Sequence, residues 1–207
     1  MLRSFDAEIL DAGAAPEHVV ARAYRDLTRL HRVLGTTAAL ARTLRCDPRP
    51  VTRILDVGCG HGAVLAELQR RLGVEGVGVD LRPPADAPVR ILRANAICDP
   101  LPAADVAYAL CLAHHLSEDE VVNMIHNVGR SCRRFVVIDL VRHPLPLALF
   151  RTFVAPFFSP VAVADGMTSI RRAYTPEEFA SIARRAAVPF RHSVSPIYAS
   201  QTLDIVY

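Results

Sequence analysis

The most informative part of this 207-residue chain is "ILDVGCGHG" (residues 54–62). It places three glycines in five positions, after an apolar run and before a segment with helical spacing. An apolar strand, a glycine turn and a helix leave free backbone N–H groups at a helix N-terminus, facing whatever lies over the sheet. We therefore expect this turn to bind a small molecule at the carboxyl edge of a parallel sheet.

Short apolar runs alternate with helical patterns after a linker at residues 46–50. Such alternation indicates crossover connections, and therefore an α/β fold with a mostly parallel, Rossmann-like sheet covered by helices on both faces. Strands are predicted over residues 52–57, 76–80, 90–93, 106–112 and 134–140, and helices over residues 62–72 and 118–132.

Two amphipathic helices are predicted before the linker, over residues 17–34 and from there to about residue 44. Gly35 ends the first helix, and Thr36 or Thr37 can cap the second. We assign residues 1–49 to an N-terminal helical cap.

The remaining residues, 50–207, form the main domain, and their last part has its own pattern. Thr175 is placed to cap a helix, with Pro176 at its first position and Glu178 completing a capping box. Two β-type runs, "FRHSVSPI" and "TLDIVY", follow and are separated by a short turn, which is typical of a hairpin. The seventh and last strand should therefore run antiparallel to the others.

Residues 141–173 are longer than a simple crossover requires, and they are rich in phenylalanine and leucine. Long connections in compact domains are often lids or binding loops. We expect a lid that suits an aromatic or alkyl-chain substrate. The alternative is a helix that buries its face on the sheet or against a second subunit, and this keeps a homodimer open.

Composition narrows the function classes. All 24 cationic residues are arginine, and 21 acidic residues leave a net charge of only +3. The arginines are scattered, and solvated helix faces explain most of them. Without a basic stripe interleaved with aromatic residues, nucleic acid is not the expected partner.

Five cysteines without a CxxC pair, and a first segment that carries acidic residues, indicate a cytoplasmic protein. The most apolar window, residues 144–158, contains Arg151 and three prolines and is too short to span a bilayer. We expect a protein without stable membrane insertion.

Two acidic residues specify the ligand of the glycine turn. The pattern Gly58-x-Gly60-x-x-Ala63 loosely fits a dinucleotide fingerprint, and Asp80 follows at the distance of a ribose-binding acid. Asp56, however, would repel a pyrophosphate and attract a cation. A ligand with an ammonium, a sulfonium and a ribose, but no phosphate, suits these residues, and S-adenosylmethionine is such a ligand. A purely structural glycine turn is the alternative.

In several motifs the chain resembles the class I S-adenosylmethionine-dependent methyltransferases. The resemblance is to their small-molecule branch, which includes bacterial natural-product and quinone-biosynthesis-like enzymes. "ILDVGCGHG" is similar to the first motif of that family and "VGVDL" (77–81) to the second. "ADVAYALCLAHHL" (104–116) is similar to the fourth-strand motif, "RRFVVIDL" (133–140) fits the fifth strand, and the terminal hairpin fits the antiparallel last strand.

The resemblance implies a role for each matching position. Asp56 and the turn backbone would hold the methionine moiety, Asp80 the ribose, and Leu81 the adenine ring. Asn95 stands where many members carry an aspartate for the adenine amino group, with Asp99 as a fallback. The residues expected at the cofactor, which leaves as S-adenosylhomocysteine, are Asp56, Gly58, Cys59, Gly60, Asp80, Leu81, Asn95, Ala96 and Leu112.

Three histidines are expected at the carboxyl edge of the sheet: His114 and His115 after the fourth strand, and His143 after the fifth. Any of them could act as general base toward a phenol or an acidic carbon. A zinc site from Cys111, His114 and His115 lacks a fourth ligand at suitable spacing, so no metal is expected.

The motif typical of amino-group methylation of DNA bases is absent after the fourth strand, where "LAHHL" stands instead. This favours methylation of an apolar small molecule on oxygen or carbon. Residues expected near the substrate are Tyr24, His31, Phe150, Arg171 and Arg172. Two alternatives stay open: a non-catalytic relative that binds the cofactor or a partner protein, and a nicotinamide-dependent dehydrogenase, which Asp56 and the antiparallel tail disfavour.

Overall fold

The computed structural model describes residues 1–12 and 16–207 and contains a seven-stranded sheet in the order β3-β2-β1-β4-β5-β7-β6. Pairs among β1 to β5 are parallel, whereas β7 is antiparallel to both β5 and β6. The expected α/β sheet with a reversed last strand is confirmed. The strands are β1 (Arg53–Val57), β2 (Glu75–Asp80), β3 (Ile91–Arg93), β4 (Ala104–Leu110), β5 (Cys132–Leu140), β6 (Phe190–Val194) and β7 (Ser200–Val206).

Helices precede the first strand and connect later strands. They are α1 (Ile9–Ala12), α2 (Glu17–Val33), α3 (Thr36–Arg45), α4 (Ala63–Leu72), α5 (Glu118–Gly129), α6 (Pro144–Leu149), α7 (Pro160–Arg172) and α8 (Pro176–Arg185). A 3₁₀ turn at Ala113–His115 follows β4, and a π-helical turn at Phe150–Val154 follows α6. No helix of the described part of the chain is long and apolar enough to cross a membrane.

Each face of the sheet buries its own hydrophobic core. Helices α3 and α4 place Leu40 and Leu65 against Ile54 of β1 on one face. Helices α5 and α8 place Val121 and Phe179 in the core of the opposite face. Because successive residues of a strand point to opposite faces, the near-continuous apolar runs of the central strands fill both cores.

Some element ends and one helix cap differ from the sequence prediction. Strand β4 begins two residues earlier than expected and ends at Leu110, so Leu112 lies in the following turn. Helix α5 ends at Gly129 instead of residue 132. The proposed caps Thr36 and Thr37 were wrong, because Gly35 occupies the N-cap position of α3 in the left-handed conformation, without a side-chain cap. The capping box that begins α8 is confirmed.

The segment between β5 and α8 is joined to the N-terminal residues. The buried carboxylate of Asp165, in α7, accepts hydrogen bonds from the backbone N–H groups of Ile9 (2.7 Å) and Leu10 (3.0 Å). Asp26 of α2 accepts the N–H of Ser159 at 2.9 Å. The proposed lid and the proposed N-terminal cap therefore contact each other over the carboxyl side of the sheet.

A buried ion-pair network anchors the linker at residues 46–50 to the sheet. The Asp47 side chain is 1% exposed, and its carboxylate accepts hydrogen bonds from Arg133 (2.7 Å) and Arg134 (2.8 Å) of β5. Arg134 also pairs with Asp204 of β7. These two arginines depart from the expectation that most arginines lie on solvated helix faces.

Replacing Asp47 by asparagine should lower the free energy of unfolding at neutral pH by about 2 to 3 kcal/mol, because two largely buried guanidinium groups lose a charged acceptor while Arg134 keeps Asp204. Burial opposes ionisation of Asp47, but hydrogen bonds from Arg134 and Arg133 outweigh it and lower its pKa to about 2. The stabilisation is therefore present above the unfolded pKa near 3.8 and is lost as the pH falls toward 2.

Urea unfolding of both proteins at neutral and acidic pH measures this effect, and the difference between them should shrink in acid. Arg185→Ala is the control, because Arg185 pairs with Glu118 and Asp119 at an exposed site. It should leave the urea midpoint nearly unchanged, because solvent screens exposed ion pairs. An Asp47→Asn protein as stable as the parent chain would contradict the prediction.

Candidate functional site

Neighbouring side chains lie close to the backbone of the glycine turn after β1, at positions where only glycine fits without strain. Gly58 has a φ of +70°, and a Cβ atom there would lie 2.7 Å from Cδ1 of Leu112. Gly60 has a φ of +51°, and a Cβ atom there would lie 3.4 Å from the ring of Tyr24. Any larger residue would meet strain at both positions. The turn is thus bordered by the β4 turn on one side and by α2 on the other.

The amide groups of the turn are already bound, contrary to the expectation that they are free. The N–H groups of Gly58 and Cys59 donate to the carbonyl oxygen of Val79 at 2.9 and 3.2 Å. The N–H of Gly60 donates to Oδ2 of Asp80 at 2.8 Å. The second strand therefore fixes the shape of the turn, because its last two residues accept three of the turn's N–H groups.

Asp56, in β1, is buried beside Tyr108, its register partner in β4. Its side chain is 4% exposed, and Oδ2 accepts a hydrogen bond from the Tyr108 hydroxyl at 2.8 Å. Burial raises the pKa of Asp56 to about 7, and the nearby charge of Asp80 acts in the same direction. Asp56 is therefore a carboxyl group that a cationic ligand would drive to ionise.

A cavity of about 410 Å³ adjoins Asp80 at the ends of β2 and β3. Three residues predicted to lie around the adenine, Leu81, Asn95 and Asp99, line this cavity. Arg82, Arg93 and Ala94 complete its lining. Leu81 is 59% exposed. Asp80 also accepts the N–H of Arg82 at 2.9 Å, so its carboxylate stands between the glycine turn and this cavity.

The loop that carries Asn95 is fixed by its own side chains. Oδ1 of Asn95 accepts the N–H of Ile97 at 3.0 Å, and Asp99 accepts the N–H of Asn95 at 2.8 Å. Asn127 of α5 donates to the carbonyl oxygens of Ala96 and Asp99. The carbonyl oxygen of Ala96, which was predicted to lie at the cofactor, thus already accepts a hydrogen bond from the side chain of Asn127.

His114 lies between two carboxylates. Its ring is 2% exposed, its Nδ1 is 2.6 Å from Oδ1 of Asp139, and its Nε2 is 3.4 Å from Oε1 of Glu8. Burial lowers the pKa of His114, but the Asp139 and Glu8 carboxylates outweigh this effect and raise it to about 9. Both ring nitrogens face protein groups, so this histidine does not open onto a substrate space.

Of the other two predicted catalytic histidines, His115 lies beside His114, whereas His143 lies at the start of α6. His115, 23% exposed, has its Nε2 3.8 Å from Oε1 of Glu8, and its ring lies 4.2 Å from that of His114. His143 is the N-cap of α6, where its Nδ1 accepts the N–H of Leu145 at 3.1 Å, and it stacks on Tyr198 at 4.8 Å.

The predicted substrate residues occupy two regions. Tyr24 borders the glycine turn, and burial lowers the pKa of His31 in the same helix. Phe150 packs on Gly166 inside the lid, and Arg171 lines a cavity of about 290 Å³ between α6 and α7. Arg172 donates hydrogen bonds to the carbonyl oxygens of Asp6 and His115 instead.

Three functional groups were missed by reasoning from sequence. Tyr108 holds Asp56, Asp139 holds His114, and Glu8 faces both His114 and His115. A polar residue within an apolar strand was the available signal for Tyr108 and Asp139. Glu8 carried no local signal, because only folding brings the N-terminal segment to the end of β4.

Comparison with known proteins supports the same assignment. A family model described as a methyltransferase domain matches residues 20–139, more than half of the chain. The indolepyruvate C-methyltransferase of Streptomyces griseus is 31% identical in an alignment 113 positions long, which covers 45% of this chain and 34% of that protein. The match thus spans about a third of that relative's length.

Solved structures share the fold. The plantazolicin methyltransferase BpumL, solved with S-adenosylhomocysteine (SAH), aligns with a TM-score of 0.69 at 12% identity, covering 94% of this chain and 91% of that one. Magnesium protoporphyrin IX methyltransferase from Synechocystis, also solved with SAH, aligns at 0.56 and 16% identity, covering 93% and 88%. The resemblance to class I S-adenosylmethionine-dependent methyltransferases is confirmed, and the chain belongs to the methyltransferase family.

Proposed function

We propose that this protein binds S-adenosylmethionine across the glycine turn and transfers its methyl group to oxygen or carbon of an apolar small molecule. The observation that carries the proposal is the position of Asp80, whose carboxylate accepts the N–H of Gly60 in the turn and the N–H of Arg82, which lines the cavity together with Leu81 and Asn95. A carboxylate at that place can accept hydrogen bonds from the two ribose hydroxyls while the adenine enters the cavity.

The methionine end of the cofactor would lie toward Asp56. Its ammonium group would pair with that carboxylate, whose remaining hydrogen-bond capacity is Oδ1 because Oδ2 accepts from Tyr108. Leu112, in van der Waals range of Gly58, would then contact the cofactor from the side of the β4 turn. The predicted contacts of Gly58, Cys59 and Gly60 with the cofactor stay part of this proposal.

Alignment is the main contribution that we propose for the protein, since the methyl carbon is already activated by the sulfonium. Holding donor and acceptor in line can supply roughly 7 to 11 kcal/mol. His114 is enclosed between Asp139 and Glu8, so we assign it a positioning role. Nδ1 of His143 accepts the N–H of Leu145. Its Nε2 can therefore donate a hydrogen bond, and we propose that it does so to the substrate atom that receives the methyl group.

The lid supports an apolar substrate. Phe153 and Phe157 are 67% and 70% exposed, and Leu145 is 42% exposed. Exposed apolar groups that cluster on one segment mark ligand-binding or interaction surfaces. We propose that Phe150, Arg171 and the rest of residues 141–173 form the wall of the substrate site, with Tyr24 and His31 of α2 on the other side.

Calorimetric titration with S-adenosylmethionine, S-adenosylhomocysteine and NADH tests the cofactor. The adenosyl compounds should bind with one site per chain and NADH should not. A screen of phenols, enols and quinols for release of S-adenosylhomocysteine then separates the enzyme from the non-catalytic alternative. Binding of the adenosyl compounds without turnover on any apolar acceptor would favour that alternative.

Removing the Asp80 carboxylate should weaken S-adenosylmethionine binding at least about tenfold, or about 1.4 kcal/mol. The Asp80→Ala protein loses both the ribose acceptor and the partner of the Gly60 N–H. Asp80→Asn keeps one oxygen that can accept from Gly60, so it separates the ribose contact from the shape of the turn.

Glu75→Ala is the matched control for this titration. Glu75 lies at the opposite end of the same strand, where its exposed side chain pairs with Arg53. It removes the same charge and should leave the affinity unchanged. Equal affinities for the parent chain and a folded Asp80→Ala protein would remove the cofactor assignment.

The affinity for S-adenosylmethionine should rise with pH between about 6 and about 7, a range below the titration of a typical α-amino group. Burial raises the pKa of Asp56 to about 7, so the free protein is largely protonated there below pH 7. The ammonium favours the ionised carboxylate, so binding releases a proton and strengthens as the pH rises.

Calorimetry in buffers of different ionisation enthalpy measures this proton release directly. Asp56→Asn should bind more weakly and should show no pH dependence over the same range. A pH profile that is identical in the Asp56→Asn protein would place the titrating group elsewhere.

A further inference from the structure

Three side chains from distant parts of the sequence meet at the end of β4. Glu8 comes from the N-terminal segment, and His114 and His115 come from the turn after the strand. Each offers one ligand atom, and these atoms all lie within 4.8 Å of one another. Among the residues that the structure describes, this is the one group of three metal-ligating side chains with that spacing.

The distances match those between the ligands of a tetrahedral ion. Oε1 of Glu8 is 3.4 Å from Nε2 of His114 and 3.8 Å from Nε2 of His115. Two ligand atoms at about 2.0 to 2.2 Å from a tetrahedral zinc ion are about 3.3 to 3.6 Å apart. An ion would therefore fit between Glu8 and either imidazole with shifts of a few tenths of an ångström, and the ligand atoms of the two imidazoles lie within 4.8 Å of each other.

The ring of His114 is already oriented to bind an ion through Nε2. Nδ1 of His114 lies 2.6 Å from Oδ1 of Asp139, and this hydrogen bond directs Nε2 toward Glu8. Nε2 is buried and makes no hydrogen bond in the part of the chain described here. A carboxylate that holds the far nitrogen of a histidine is the usual support of a metal-bound imidazole.

We propose that Glu8, His114 and His115 bind a divalent transition-metal ion of the zinc type. Two imidazoles and a carboxylate suit zinc better than magnesium or calcium, which prefer oxygen ligands. The proposal departs from the expectation of no metal, which considered Cys111 as the third ligand and lacked Glu8. Three protein ligands leave a fourth position for water or a substrate oxygen, on the side where His115 is partly exposed.

The ion would tie the N-terminal segment to the edge of the candidate site. Glu8 is 7% exposed, and its carboxylate also accepts a hydrogen bond from Ser169 of α7 at 2.7 Å. One ion at Glu8 would therefore link three elements: the N-terminal segment, the lid helix and the turn after β4. His114 is two residues from Leu112, which covers Gly58, so the fourth position would lie near the cofactor turn.

Metal titration of the chelator-treated protein tests the site without any assay of methyl transfer. Cobalt(II), whose visible absorption is intense in tetrahedral sites, and zinc(II), followed by calorimetry, should each bind at one equivalent per chain. Zinc should also raise the thermal unfolding temperature, because a ligand that binds the folded state stabilises it. Cys46→Ser and Cys98→Ser remove the two exposed thiols that could bind metal on their own.

Glu8→Gln and His115→Gln should each weaken zinc binding at least about tenfold, because one of three ligands is lost. Asp139→Asn should weaken it by about 10- to 100-fold through the orientation of His114. His61→Gln is the matched control, since His61 and Asp86 form a histidine–carboxylate pair at 3.5 Å outside the cluster. It should leave the affinity and the cobalt spectrum unchanged.

The proposal is overturned if the parent chain takes up neither ion, which would mean that a second proton on His114 fills the space. It is also overturned if folded Glu8→Gln and His115→Gln proteins bind zinc as the parent chain does. Binding of S-adenosylmethionine is measured separately on the same proteins, so failure of the metal site leaves the proposed function standing.

Discussion

The end of the second strand shapes the candidate cofactor site. Val79 and Asp80 accept three N–H groups of the glycine turn, and this fixes three residues that have no regular structure of their own. Left-handed backbone at Gly58 and Gly60 makes the turn narrow enough for the arrangement. The same carboxylate that completes the turn also accepts the N–H of Arg82, a residue that lines the neighbouring cavity. In the proposed function, Asp80 therefore couples cofactor binding to the geometry of the turn.

A second polar system stands where β4 and β5 end. Asp139 holds His114, His114 faces Glu8, and Glu8 accepts a hydrogen bond from Ser169 of α7. Burying polar groups of this kind costs free energy unless each is paired, so these contacts as well as packing hold the N-terminal segment and α7 to the sheet. The proposed metal ion would occupy the point where all of these elements meet.

Much of the fold followed from local pattern. The glycine turn, the alternation of strands and helices, and the capping box at Thr175 are encoded by residues that are close in sequence. Strand and helix ends were less accurate, because hydrogen bonds to neighbouring strands decide them. Leu112 belongs to a turn instead of to β4 for this reason, and Gly35 replaces the expected threonine caps because its left-handed backbone separates two helices.

The α/β class, the reversed last strand and the glycine turn with Asp56 and Asp80 could be predicted from the sequence, because these depend on short-range periodicity and spacing. Which distant groups pair became known from the folded structure. It placed Tyr108 on Asp56, and it enclosed His114 between Asp139 and Glu8. Such contacts join residues far apart in the chain. Their energies depend on burial and orientation, which sequence spacing does not specify.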